Sequence, residues 1–208
     1  MAIEQIKIGF DNFCYVIYCK ITKNAAIIDP GYDPSKILKF ITSKKLILKY
    51  IILTHHHTDH TNECFILKKT YPTLKVIISK IESKYTKIPI DIKVKDNQRL
   101  NLGKISLKFI LTPGHTPGSI CIIVDNKAIL TGDTLFIGDC GRIELPGGNL
   151  NQMYYSLMEK IMKLPDDLIL YPGHDYGQIP YDTLGNQKNN FISYFKDVIH
   201  IINNKNTN

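Results

Sequence analysis

The stretch Thr54-His55-His56-His57-Thr58-Asp59-His60 constrains this chain more than any other. It follows residues 48–53, an apolar, β-rich run that is predicted to form a buried strand, so the polar cluster falls where that strand ends. Four of the seven histidines lie within six residues. Imidazole and carboxylate are ligand types that Zn²⁺ and Fe²⁺ accept, and a bend after a strand would turn His55, His57, Asp59 and His60 into one cavity. A solvated polar turn is the bland alternative, but His and Asp at this density usually mean metal. His56 occupies the slot that the spacing H-x-H-x-D-H leaves open, and alternation points it away from its neighbours, so it is not counted as a ligand. A helical H-E-x-x-H site fails here: His56 and His60 have the i, i+4 spacing, but His57 stands where the glutamate base is needed.

The chain has 208 residues, enough for one well-cored domain, and no linker divides it, so residues 1–208 are expected to form a single domain. With 44% hydrophobic and 22% charged residues the composition is that of an ordinary globular protein. No apolar run reaches the ~18 residues of a membrane span, and the start lacks a basic region followed by an apolar one, so the expected location is the cytoplasm, without membrane attachment. Five cysteines, odd in number and without a C-x-x-C pair, indicate neither a disulfide framework nor a thiolate zinc finger. The net charge of +7 would favour anionic substrates by steering, but only Arg99 and Arg142 are arginines among 26 basic residues. Heavy use of Ile, Lys and Asn reads as an AT-rich genome rather than as a nucleic-acid footprint, so no nucleic-acid partner is expected.

Strands are predicted at residues 3–10, 13–19 and 25–29, separated by the turn signals Asp11-Asn12 and Lys23-Asn24. A helix at 34–45 and the strand 48–53 follow, then a helix at 62–70 and a strand at 75–79. Residues 80–100 give no clear reading. A second meander is expected at 105–111, 119–124 and 127–131, its last turn at Asp125-Asn126. Asn149 caps a predicted helix at 150–163, whose apolar residues follow the i, i+3, i+4, i+7 rule. A strand at 168–171 and a helix from about 191 to 202, which contains His200, complete the pattern. Strand runs that are each followed by helix and strand suggest an architectural duplication, with two sheets packed together and helices outside.

Three further segments end a strand and then place a His or Asp among Gly and Pro: Thr112-Pro113-Gly114-His115-Thr116-Pro117-Gly118, Thr131-Gly132-Asp133-Thr134 and Tyr171-Pro172-Gly173-His174-Asp175. Such loops are stiff and tightly turned, which suits metal ligands. Singly each could be only a turn; together with residues 55–60 they form a set.

The motifs T-H-x-H-x-D-H, P-G-H-T-P-G, T-G-D-T-L-F and P-G-H resemble those of the metallo-β-lactamase superfamily from Asn12 to about Gly185. The resemblance implies an α+β fold, an αββα sandwich of two mixed sheets flanked by helices, with metals in a cleft at one edge. It implies that His55, His57 and His115 bind one ion, that Asp59, His60 and His174 bind a second, and that Asp133 bridges them. The expected cofactors are two divalent ions, Zn²⁺ first, with Fe or mixed Fe/Zn as alternatives. Asp29 resembles the family's aspartate that orients a ligand histidine.

Within the superfamily, residues 132–136 and 138–142 are similar to glyoxalase II, which hydrolyses S-lactoylglutathione at a dinuclear site, and to the persulfide dioxygenases, which use one iron. His174-Asp175-Tyr176 is similar to the dioxygenases' ending. The expected activity is hydrolysis of a glutathione-type thioester, with Asp59 also acting catalytically by aiming a hydroxide, and with Arg142 gripping a substrate carboxylate. For Arg142, a surface pairing with Glu144 or Asp139 is the alternative. The other readings are an iron-dependent glutathione persulfide dioxygenase using His55, His115 and Asp133, and a metal-binding protein without activity. Two departures from glyoxalase II stand out. Only 34 residues follow His174, too few for that enzyme's helical glutathione-binding domain, and Glu144 replaces a tyrosine that contacts glutathione. The partner is thus a small-molecule thiol or thioester, with the oligomeric state left open.

Overall fold

The computed structural model describes residues 1–189. The predicted final helix, with His200, and the polar tail at 203–208 lie outside the described residues. The first half of the chain forms a six-stranded sheet in sequential order: β1 (Ala2–Ile8), β2 (Asn12–Tyr18), β3 (Asn24–Ile28), β4 (Ile47–Ile52), β5 (Lys75–Ser79) and β6 (Ile92–Val94). Pairing is antiparallel across β1, β2 and β3 and parallel across β3, β4, β5 and β6. Helix α1 (Ser35–Ser43) connects β3 to β4, while α2 (Thr58–Thr61) and α3 (Cys64–Thr70) connect β4 to β5. Parallel neighbours require such crossovers, and the helices cover the outer face of the sheet.

The second sheet contains β7 (Arg99–Leu102), β8 (Ile105–Leu111), β9 (Ile120–Val124), β10 (Ala128–Gly132), β11 (Ile169–Pro172) and β12 (Asp182–Thr183), again as sequential neighbours. It is antiparallel from β7 to β10, parallel from β10 to β11, and antiparallel at β12. Asp125 and Asn126 both take positive φ, 51° and 52°, which is the hairpin geometry that this Asp-Asn pair signals. The outer face carries α4 (Leu150–Tyr155), whose cap Asn149 accepts a hydrogen bond from the Gln152 amide.

Three apolar layers follow from the strand alternation. Ile17, Ile28, Ile52, Leu107, Phe109 and Ile122 meet between the sheets. Ile27, Ile51 and Val76 face α1 and α3 on one outer side, where Ile37, Ile41 and Leu67 cover them. Cys121, Ile129 and Leu170 face Met153, Leu157 and Ile161 on the other. Four cysteines are buried in these layers and none is disulfide-bonded.

Several predicted elements change shape. The segment predicted as a bend followed by a helix at 62–70 is two helices, and its first turn, α2, carries Asp59 and His60. The helix predicted over 150–163 is α-helical only to Tyr155 and widens into π turns over Ser156–Ile161. The Ser156 hydroxyl donates to the Pro113 carbonyl at 2.6 Å, which ties this irregular turn to the His115 loop. The unreadable region at 80–100 holds a 3₁₀ turn, Glu82–Lys84, and the short strands β6 and β7. Both strands are too short for their alternation to register against flanking polar residues.

Strand direction gathers the polar loops. The C-terminal ends of β3, β4 and β5 lie at one edge because these strands are parallel, and β2 starts at that edge because it runs opposite to β3. Strands β8 and β10 share a direction because each opposes β9, and β11 is parallel to β10. The two sheets are joined at this edge by main-chain bonds from Phe13 N to Gly173 O at 2.8 Å and from Ile120 N to Thr54 O at 3.0 Å.

The approach is close enough to demand glycine. A Cβ on Gly31, in the loop after β3, would lie 1.4 Å from the Asp59 carbonyl oxygen. Gly31→Ala must therefore push α2 away from β3, an overpacking worth about 1–3 kcal/mol. A thermal melt should show Tm lowered by several degrees; an unchanged Tm would mean that these two segments are free to separate.

Candidate functional site

Six side chains converge on Asp133, which sits at the end of β10 with only 7% exposure. Its Oδ2 lies 3.4 Å from His115 Nε2, 3.3 Å from His174 Nε2 and 4.0 Å from His55 Nε2, while Oδ1 lies 3.3 Å from His60 Nε2. His57 Nδ1 closes a triangle with His55 Nε2 at 3.1 Å and His115 Nε2 at 3.0 Å. On the other side His60 Nε2 and His174 Nε2 are 3.2 Å apart, and each is 3.5 Å from Asp59 Oδ2. The loops predicted to carry ligands thus bring His55, His57, Asp59, His60, His115, Asp133 and His174 together. Among the described residues three groups have the geometry to hold a cation: His55 with His57 and His115; His55 with His60 and Asp133; and Asp59 with His60 and His174.

The donor set fits metal ions. His57 Nδ1 lies about 3 Å from both His55 Nε2 and His115 Nε2, and a single ring proton cannot fully serve both contacts, so lone pairs are left facing a space that a cation would fill. Asp133 Oδ1 is a buried oxygen with no hydrogen-bond partner, which is costly unless an ion satisfies it.

The far ring nitrogens are anchored, and the anchors set the tautomers. His115 Nδ1 donates to the Arg142 carbonyl oxygen at 2.7 Å, which leaves Nε2 to face the centre. Asp29 serves two ligands at once. Its Oδ2 accepts from the Thr54 hydroxyl at 2.6 Å and lies 3.1 Å from His60 Nδ1, while Oδ1 accepts from the Thr54 amide at 2.8 Å. Because the Thr54 hydroxyl spends its proton on Asp29, its oxygen is left to accept from His55 Nδ1 at 3.0 Å. Asp29 takes a positive φ of 52° that turns its carboxylate back on β4. Asp11 Oδ1 stands 3.4 Å from His174 Nδ1, and the Asn12 amide donates to Asp59 Oδ2 at 3.0 Å.

Electrostatically the centre has two halves. Burial, reinforced by neighbouring imidazoles, holds His55 well below its ordinary pKa and His57 at about 4, so both are neutral. Burial also opposes charge on His60, but Asp133, Asp29 and Asp59 outweigh it and raise the group to about 10. Burial likewise opposes charge on His174, which contact with Asp133 raises. Burial would raise Asp133, yet His60 and His174 hold it well below the carboxylate range. A metal entering the His60 side must therefore displace protons.

A cleft of about 690 Å³ opens over this cluster, with His57, Asp59, Phe136, Arg142 and Tyr176 on its walls. The Arg142 side chain is 71% exposed, and its Nε is 4.0 Å from Glu144 Oε1. Tyr176 stacks on His174, with ring centroids 4.8 Å apart, and meets Phe136 edge-on. Cys140 lines the same wall, where burial pushes its thiol up to about 12, away from thiolate chemistry. His56 turns out of the ligand set, as its slot predicts, and pairs with Glu82. Sequence reasoning missed Asn12, read only as a turn residue, and the Arg142 carbonyl, which no side-chain pattern can signal. It also missed Glu82, hidden in the region without periodicity.

Known proteins are similar to this chain in sequence and fold. The family model described as the metallo-beta-lactamase superfamily matches residues 8–174. A probable hydroxyacylglutathione hydrolase, glo2 of Schizosaccharomyces pombe, is 39% identical over 173 residues, which cover 80% of this chain and 64% of the yeast protein. The chain thus spans just under two thirds of that relative. The mitochondrial persulfide dioxygenase ETHE1 of Homo sapiens is 30% identical over 178 residues, 85% of this chain and 68% of the human one. The crystal structure of ETHE1 from Myxococcus xanthus superposes with a TM-score of 0.81 at 27% identity, covering 90% of this chain and 82% of that one. Among the described residues no helix is long and apolar enough to cross a membrane. By family match and by the two mixed sheets whose shared edge carries the His and Asp cluster, this chain belongs to the metallo-beta-lactamase superfamily.

Proposed function

We propose that the chain is a metal-dependent hydrolase of a glutathione-type thioester. The observation that carries this reading is Asp133, whose two oxygens reach toward both halves of one cluster. His55, His57 and His115 would hold one ion, Asp59, His60 and His174 the other, with Asp133 shared between them. Two divalent ions held there would supply an acidified water as nucleophile and a Lewis acid for the carbonyl. Asp59, pinned by Asn12 and one-third exposed on the cleft wall, is placed to accept a hydrogen bond from that water and aim it. A thiolate is a good leaving group, so no separate strong acid is required of the protein. The similarity to the yeast hydrolase supports the substrate class.

Arg142 is a cation on the cleft wall, and its 4.0 Å approach to Glu144, with both side chains largely exposed, is too loose to occupy it. A planar fork there grips a carboxylate bidentately, and glutathione carries two. A second reading, persulfide oxidation on one iron held by His55, His115 and Asp133, is favoured by His174-Asp175-Tyr176 and by the similarity to human ETHE1.

Three outcomes follow from the reading. Asp133→Ala should lose both metal equivalents, as measured by elemental analysis of the purified protein; retention of two at unchanged affinity would show that Asp133 is not shared. Arg142→Lys should raise KM for a glutathione thioester about three- to tenfold at constant kcat, the pattern of lost uniform binding. An unchanged KM would make Arg142 a surface residue. His60→Ala separates the chemistries: it should abolish thiol release from S-lactoylglutathione if hydrolysis is the reaction. One iron per chain, with persulfide-dependent oxygen uptake that survives His60→Ala, would replace the hydrolase by the dioxygenase.

A further inference from the structure

Glu82 is fully buried, at 0% exposure, in a 3₁₀ turn beyond β5, and the reaction outlined above gives it no part. Burying a carboxylate is costly unless its oxygens are satisfied, so its partners reveal what holds it there. Oε1 accepts from the His56 amide at 3.0 Å and pairs with the His56 ring at Nδ1. Oε2 accepts from the Gly118 amide at 2.7 Å. One carboxylate therefore bridges the loop that carries His55 and His57 to the loop that carries His115. Ser79 adds a second tie, with its hydroxyl donating to the Gly118 carbonyl at 2.6 Å and accepting from the Glu82 amide at 3.0 Å. The His56 ring stacks on Tyr85, with centroids 5.5 Å apart, which fixes the ring that Glu82 grips.

We infer that Glu82 is a positioning residue that sets the spacing of the His55, His57 and His115 nitrogens, and hence the affinity of that half of the centre alone. The inference rests on the dinuclear reading above. The other half is fixed by different groups, Asp29 on His60 and Asn12 on Asp59, neither of which touches Glu82. The carboxylate is needed for a chemical reason: N–H donors face both of its oxygens, whereas a glutamine side chain would present its own N–H₂ to one of them. Glu82→Gln is nearly isosteric, so it removes one tie without opening a cavity.

The test is a cobalt(II) titration of metal-depleted protein, followed by visible absorption and by competition with a chelator. Wild type should take up two equivalents. Glu82→Gln should keep one at wild-type affinity and weaken the other about ten- to a hundredfold, the usual effect of losing a group that orients ligands. Glu82→Asp, which retains two acceptor oxygens, should recover part of that loss. Leu107→Ala, in the core between the sheets, serves as a destabilised control that should lower Tm and leave the ratio of the two affinities unchanged. Equal weakening of both equivalents, or of neither, in Glu82→Gln would overturn the inference. Uptake of a single equivalent by wild type would instead overturn the dinuclear reading, and the inference with it. If Glu82→Gln does not fold, Ser79→Ala reads the same clamp: selective weakening of one equivalent supports it, and wild-type affinity at both overturns it.

Discussion

The centre depends on a carboxylate that has been taken out of water and left short of partners. Asp133 stays ionised at 7% exposure because imidazoles surround it, yet Oδ1 still lacks a hydrogen bond. A fold does not retain such an atom for stability, since replacing a buried ionic group by an apolar one is often neutral or better. The two oxygens of Asp133 face both halves of the cluster. The other buried acids follow the same logic at one remove. Asp29 joins the loop after β3 to the end of β4 and to α2, and Glu82 joins the loops after β4 and β8. Each is satisfied by amide, hydroxyl or imidazole groups of the segments that carry the His and Asp cluster.

Strand direction explains why these segments can meet. Ligands that follow β4, β8, β10 and β11 come from strands running the same way within each sheet, and the main-chain bonds between Phe13 and Gly173 and between Ile120 and Thr54 bring the two edges together. The backbones approach until no side chain fits. A Cβ on Gly173 would lie 2.3 Å from Asp133 Oδ1, and one on Gly141 would lie 1.9 Å from the Asp133 carbonyl. The glycines beside the ligands are therefore spacing elements, and the Gly-Pro grammar of the loops records a limit on distance as much as on φ.

That grammar made much of the molecule legible. Long apolar strands such as β8 and β9, the Asp125-Asn126 hairpin and the Asn149 cap each carry a local signal, and the ligand loops announce themselves by His or Asp among Gly and Pro at a strand end. Strands β6 and β7 did not, because three or four residues cannot display a period. The passage of α4 into π turns escaped as well, since the contact made there, from Ser156 to the Pro113 carbonyl, is with a residue 43 positions away in sequence. Glu82 was invisible for a related reason. A lone glutamate in an irregular, lysine-rich segment looks solvated, and only the tertiary fold shows that it is buried.

Arg142 meets the site through two different parts of the residue. Its rarity in a lysine-rich chain drew attention to the guanidinium, which lies exposed on the cleft wall. The carbonyl oxygen of the same residue makes the contact nearest the His and Asp cluster, accepting from His115 Nδ1 at 2.7 Å. Any residue offers that carbonyl, provided the loop holds its path, and the path is set by Gly141 packed under the Asp133 main chain. Position 142 therefore separates two roles by atom. The main chain holds the His115 ring whatever the side chain is, while the side chain stands apart on the cleft wall.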